Sequence, residues 1–91
     1  MKILALDTSR KVSEVSVYDT ETRATVTEMC MEKNNESLLF MISEAVTKAG
    51  IRLSDIDAYA ACIGPGSFTG LRIGLTTVKT FSQMTGKPVY G

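Results

Sequence analysis

The chain contains no histidine and no tryptophan, and only two prolines and two cysteines in 91 residues. Without histidine, neither a Ser-His or Cys-His nucleophilic pair nor a His-bearing metal site can be assembled, so any chemistry would have to run on carboxylates, lysines or a bound nucleotide. Cys30 and Cys62 are far apart, each inside a predicted apolar strand, where a free thiol behaves as a small hydrophobe in a reducing compartment. Ten basic and ten acidic residues cancel to a formal net charge of zero. No run of Lys or Arg could neutralise several phosphates at once, which argues against direct nucleic-acid binding. Apolar runs are short as well. Ile3–Leu6 is too brief for a signal-peptide core, and no run approaches the ~20 residues that cross a bilayer, so the expectation is a soluble, cytoplasmic chain without a membrane partner.

What is present suffices for one small domain. With 44% hydrophobic residues, a chain of this length hides roughly two-thirds of its unfolded surface in a single core. Lys2 to Leu6 is a nearly continuous apolar run, as in a central strand covered on both faces, and Ser13 to Tyr18 alternates around Val15 and Val17. Asp19-Thr20-Glu21-Thr22 is a hairpin turn, and a third strand is expected from about Arg23 to Met31. The next helix places Leu38, Leu39, Ile42, Ala45, Val46 and Ala49 on one face before Gly50 stops it. Asp55-Ile56-Asp57-Ala58 leads into an apolar strand that ends near Ile63, a second helix is expected from about Thr69 to Thr85, and Pro88-Val89-Tyr90-Gly91 begins another strand. The order is β-β-β-α-β-α, an α/β fold with a mixed sheet and helices packed on it.

The most specific segment joins the fourth strand to the second helix: Cys62-Ile63-Gly64-Pro65-Gly66-Ser67-Phe68-Thr69-Gly70-Leu71-Arg72-Ile73-Gly74. A glycine-rich strand-to-helix loop offers free N–H groups to anions, yet Gly70 is followed by Leu71 where a Walker loop needs Lys, and the glycine spacing misses the dinucleotide fingerprint by one residue. Gly70 and Gly74 are four apart and share a helix face. They either admit a partner's backbone or seat the helix on its own sheet. Leu71, Leu75, Val78 and Phe81 form a core stripe, and Arg72, Lys79 and Gln83 mark a solvated side. A second, partly apolar strip runs through Ile73, Thr77, Thr80 and Met84 with Gly70 and Gly74 beside it, and with Thr69 and Arg72 at its border it is the expected association surface.

Gly-Pro-Gly-Ser-Phe-Thr-Gly-Leu-Arg-Ile-Gly resembles the signature of the TsaB (YeaZ) family, bacterial proteins required to make threonylcarbamoyladenosine beside the tRNA anticodon. The likeness extends from Asp7-Thr8-Ser9 through Ala49-Gly50 to Gly86-Lys87-Pro88. One segment departs: where the family tends to carry His-Ser-Glu with a Pro soon after, this chain reads Asn34-Asn35-Glu36-Ser37, with Asn34 a competent helix cap.

The resemblance implies one lobe of the actin-like ATPase fold, whose core is shared with ribonuclease H, and residues 1–91 read as the N-terminal lobe of a two-lobed protein. It implies a scaffold subunit without catalytic residues or metal that pairs with the catalytic paralogue TsaD, works with the ATPase TsaE, forms a homodimer in isolation and meets tRNA only indirectly. Asp7, Thr8 and Ser9 fall where that fold has its first phosphate loop. Because they lack its glycine, they read as a remnant nucleotide site, with ATP bound, if at all, in the complete complex. An ATP-binding or ATP-hydrolysing enzyme and a peptidase are the alternatives.

Overall fold

A computed structural model describes residues 1–8, 12–30, 35–61 and 68–90. Strands β1 (Lys2–Asp7), β2 (Ser13–Asp19), β3 (Thr25–Cys30), β4 (Ala58–Ala61) and β5 (Val89–Tyr90) form one sheet in the order β3-β2-β1-β4-β5. The first three make an antiparallel meander, whereas β4 runs parallel to β1 and β5 parallel to β4. A parallel neighbour cannot be reached through a hairpin, and the two long connections are helices: α1 (Asn35–Lys48) leads to β4 and α2 (Phe68–Thr85) to β5. The β-β-β-α-β-α order expected from the sequence is therefore present. Asn34 lies outside the described residues, as do Ser9 and residues 62–67.

The pleat decides which side chains meet the helices. Leu4, Leu6 and Thr8 alternate inward from β1 and its end, and Ser13, Val15 and Val17 do so from β2; all are buried. The pairing of Leu4 with Tyr59 and of Leu6 with Ala61 carries the same face across β4. Both helices cover this face. Leu38, Met41, Ile42, Ala45 and Val46 of α1 and Val78 and Phe81 of α2 complete one core. Tyr59 and Phe81 stack with ring centroids 6.0 Å apart and planes 15° from parallel.

Ile3, Ala5, Asp7, Glu14, Ser16 and Tyr18 point to the opposite face. Neither α1 nor α2 lies there, so the expectation that β1 is covered on both faces is not met among the described residues.

Local chemistry fixes the ends of these elements. Gly50, with φ +72°, closes α1 in the left-handed conformation: its N–H donates to Thr47 O at 3.0 Å and Ile51 N–H donates to Val46 O at 3.2 Å. This doubled bond pattern, with Ile51 packed on the core, is the glycine stop read from the sequence. In the β2–β3 turn, the Glu21 N–H donates to Asp19 Oδ1 at 2.9 Å and the Arg23 N–H to Asp19 O at 2.8 Å. The first of these bonds holds the Asp19 carboxyl below the ordinary carboxylate value. Asp57 clamps the start of β1, accepting the Lys2 N–H at 2.8 Å while its own N–H donates to Lys2 O at 2.8 Å.

Candidate functional site

α2 presents two unlike sides, and the division differs from the one read in the sequence. Val78 and Phe81 are buried, Leu75 packs against them, and Arg72, Lys79 and Gln83 are exposed, as expected. Gly74, assigned above to a strip left over for a partner, is buried instead against the end of β1. A Cβ built on Gly74 would lie 2.5 Å from Thr8 Oγ1, far inside any tolerable contact. The missing side chain therefore lets α2 settle onto its own sheet, the other of the two uses weighed for this glycine. Ile73 also turns inward, partly buried against the core. Large side chains at these positions would unseat α2 rather than merely block a partner. For Thr69 and Gly70 only the α2 backbone is described.

The remaining members of the expected surface do face outward. Thr80 and Met84 are exposed, Arg72 is exposed, and Thr77 is half-buried. The threonine hydroxyls are turned back onto the helix: Thr77 Oγ1 donates to Ile73 O at 2.8 Å and Thr80 Oγ1 to Thr76 O at 2.9 Å. With these hydroxyls engaged, their methyl groups leave the surface less polar than its composition suggests. Thr76, Thr77, Thr80, Phe81 and Met84 line one wall of an open, mostly apolar groove of about 410 Å³, and Leu39 of α1 lines the other.

The α1 contribution corrects the helical reading of Leu39. Placed in the core stripe by its spacing, it is 51% exposed, with Phe40 beside it at 66% and Met84 across the groove at 74%. The signal was present in the unbroken apolar run Leu38–Ile42. Successive helical residues turn by about 100°, so one sheet cannot cover all of them. Leu38, Met41 and Ile42 take the core, Leu39 is left on the outside facing α2, and Phe40 is exposed next to it.

The end of β1 offers little to a nucleotide. Asp7 and Thr8 are adjacent and so point to opposite faces of the sheet. Thr8 is 1% exposed beneath α2, whereas Asp7 lines a hollow on the far face with Glu14, its direct cross-strand partner, and with Ser16, Ala5 and Ala60. Two neighbouring side chains that diverge in this way do not converge on one phosphate. No cluster of three or more potential metal ligands occurs among the described residues, and none of their helices is long and apolar enough to cross a membrane.

Comparison with known proteins assigns this architecture to a family. The family model described as TsaD, tRNA N6-adenosine threonylcarbamoyltransferase, matches residues 11–91. The tRNA threonylcarbamoyladenosine biosynthesis protein TsaB of Escherichia coli K12 is 34% identical over 91 residues, all of this chain and 39% of the relative. A tRNA N6-adenosine threonylcarbamoyltransferase of Sinorhizobium medicae is 46% identical over 65 residues, covering 71% of this chain and 18% of that protein. Among solved structures, YeaZ from Pseudomonas aeruginosa superposes with a TM-score of 0.88 at 31% identity, covering 98% of this chain and 41% of its own. The chain thus spans about two-fifths of the TsaB and YeaZ relatives, and its mixed sheet with two helices on one face is the actin-like, ribonuclease H-like lobe they share. On the sequence signature, the topology and these matches together, the chain belongs to the TsaB (YeaZ) family, within the wider family described by TsaD.

Proposed function

We propose that this chain is a non-catalytic scaffold subunit in tRNA threonylcarbamoyladenosine synthesis, docking through the α1/α2 face onto the threonylcarbamoyltransferase TsaD. The observation that carries this reading is the groove between Leu39 and Met84, each more than half exposed, with Phe40 exposed next to Leu39 on α1, side chains of a kind that soluble surfaces seldom gather in one place. The relatives named for threonylcarbamoyl transfer match most of this chain, so a partner lobe of similar fold would carry a similar helix pair. Two such pairs can pack across a pseudo-twofold axis, and in isolation the same face pairs with its own copy, so that homodimer and heterodimer compete. The chain's balanced charge leaves tRNA contact to the partner, and the ATPase TsaE acts on the assembled pair.

The test is co-purification of the full chain with TsaD, together with sedimentation of the chain alone. Met84→Glu and Leu39→Glu, both at exposed positions, should keep the circular dichroism of the parent while abolishing the TsaD complex and the homodimer. Charged variants that still associate would refute this surface.

An ATP-dependent enzyme is the competing reading, and the divergent Asp7 and Thr8 side chains speak against it. Isothermal titration of ATP into the chain should give no binding at micromolar concentration. Micromolar binding abolished by Asp7→Ala would replace the scaffold with a nucleotide enzyme.

A further inference from the structure

Gly74 meets Thr8 where α2 bears on the end of β1, and the groove wall begins roughly a quarter-turn round the helix from that contact. Thr8 Oγ1 is 2.5 Å, Cγ2 3.5 Å and Cβ 3.6 Å from where a Cβ on Gly74 would sit, so the whole branched side chain is pressed toward the helix backbone. Thr8 has little means of yielding. It is 1% exposed, and a β-branched side chain is stiff at χ1. Val78 and Phe81, one and two turns further on, lock the same face of α2 into the core. Thr76, Thr77 and Thr80, on the flank of the helix next to that face, form the groove wall together with Phe81 itself. A helix held this way moves as a rod, and its height above β1 sets how far that wall stands from Leu39 of α1.

We propose that Thr8 and Gly74 are positioning residues for the partner surface: their contact fixes the depth at which α2 lies and thereby the width of the groove that receives the partner. The proposal rests on the docking reading above, but it concerns residues buried between α2 and the sheet. Restoring ordinary contact at an alanine in position 74 means opening 2.5 Å to 3.4 Å, a displacement of about 0.9 Å. Close-packed surfaces tolerate such a shift poorly, because the added methyl is accommodated by moving backbone rather than by filling space.

A double-mutant cycle tests it. Gly74→Ala should remain folded and weaken both self-association and TsaD binding by at least ~10-fold, as measured by sedimentation equilibrium. Thr8→Ala alone removes the atoms that set the spacing and should weaken association several-fold, whereas Thr8→Ala in the Gly74→Ala background should restore it toward the parent, since the methyl takes the space that Oγ1 and Cγ2 leave. A Gly74→Ala protein that associates normally, or a double variant as weak as Gly74→Ala, would overturn the proposal.

A measurement on the unmutated chain keeps the question open to refutation should Gly74→Ala not fold. Binding of TsaD should shift the Thr8 amide resonance although Thr8 is buried behind α2, while Thr27 on β3 stays unchanged. An unmoved Thr8 would overturn the proposal. The Met84→Glu variant separates the two readings. If it fails to disrupt association, the docking surface itself is wrong; if it disrupts association but the cycle is additive, only the Thr8–Gly74 inference fails.

Discussion

Tyr59 should be more stable as phenylalanine. Its side chain is 0% exposed in the middle of the core, its ring stacks on Phe81, and its hydroxyl has no hydrogen-bond partner among the described residues. A buried hydroxyl without a partner forfeits about 1–3 kcal/mol of hydration, whereas the ring keeps its apolar burial and its stacking after the oxygen is removed. The small void left by one atom takes back part of that gain, so Tyr59→Phe should stabilise the fold by about 1 kcal/mol. In a domain of this size, that raises Tm by roughly 4–8 °C. Thermal unfolding followed by circular dichroism would show the rise, and urea unfolding should show a higher midpoint at an unchanged slope. Tyr59→Leu, which removes the stack, should be destabilising. A fall in Tm for Tyr59→Phe would mean that the hydroxyl is paired in solution, and the assignment of an orphaned group at this site would be wrong.

Three further outcomes are expected. Leu38→Ala, at a fully buried α1 position, should cost about 2–5 kcal/mol, a large share of a small domain's stability, and is checked by the same urea titration. Arg23 holds φ +62° without being glycine, so Arg23→Gly should be neutral or stabilising by up to ~1 kcal/mol, the relief of strain being offset by the entropy of the unfolded glycine; a clear loss would refute the strain. Because the folded-state pKa of Asp19 is depressed, its contribution is present above the ordinary value of 3.8 and is lost as pH falls through the lowered one. Asp19→Asn should therefore flatten the acid side of the stability–pH curve, and an unchanged acid limb in the variant would count against the Asp19 turn.

Much of the fold was legible because it rests on local rules. Alternation around Val15 and Val17, the glycine stop at Gly50 and the 3.6-residue stripe through Leu75, Val78 and Phe81 depend on backbone geometry and near neighbours, which the sequence carries directly. The Gly-Pro-Gly-Ser-Phe-Thr-Gly signature pointed to the family because its residue types and their order are specific enough to be read directly from the chain. The assignment of faces was harder. Periodicity shows that α1 and α2 are amphipathic, but a wide apolar stripe does not say which edge meets the sheet and which meets the neighbouring helix.

The chain alone thus determined its elements, their order and its family. Tertiary structure decided the uses of Leu39, Phe40, Ile73 and Gly74. Leu39 lies in the apolar stripe of α1, but because both helices share one face of the sheet it stands in the groove between them, half exposed. Gly74 looked available to a partner, but β1 ends beneath it, and the 2.5 Å approach to Thr8 Oγ1 follows from the register of two elements more than sixty residues apart. Spacing within one helix fixes angles about its own axis. Which neighbour occupies each angle depends on the packing of the whole sheet, and no local pattern encodes it.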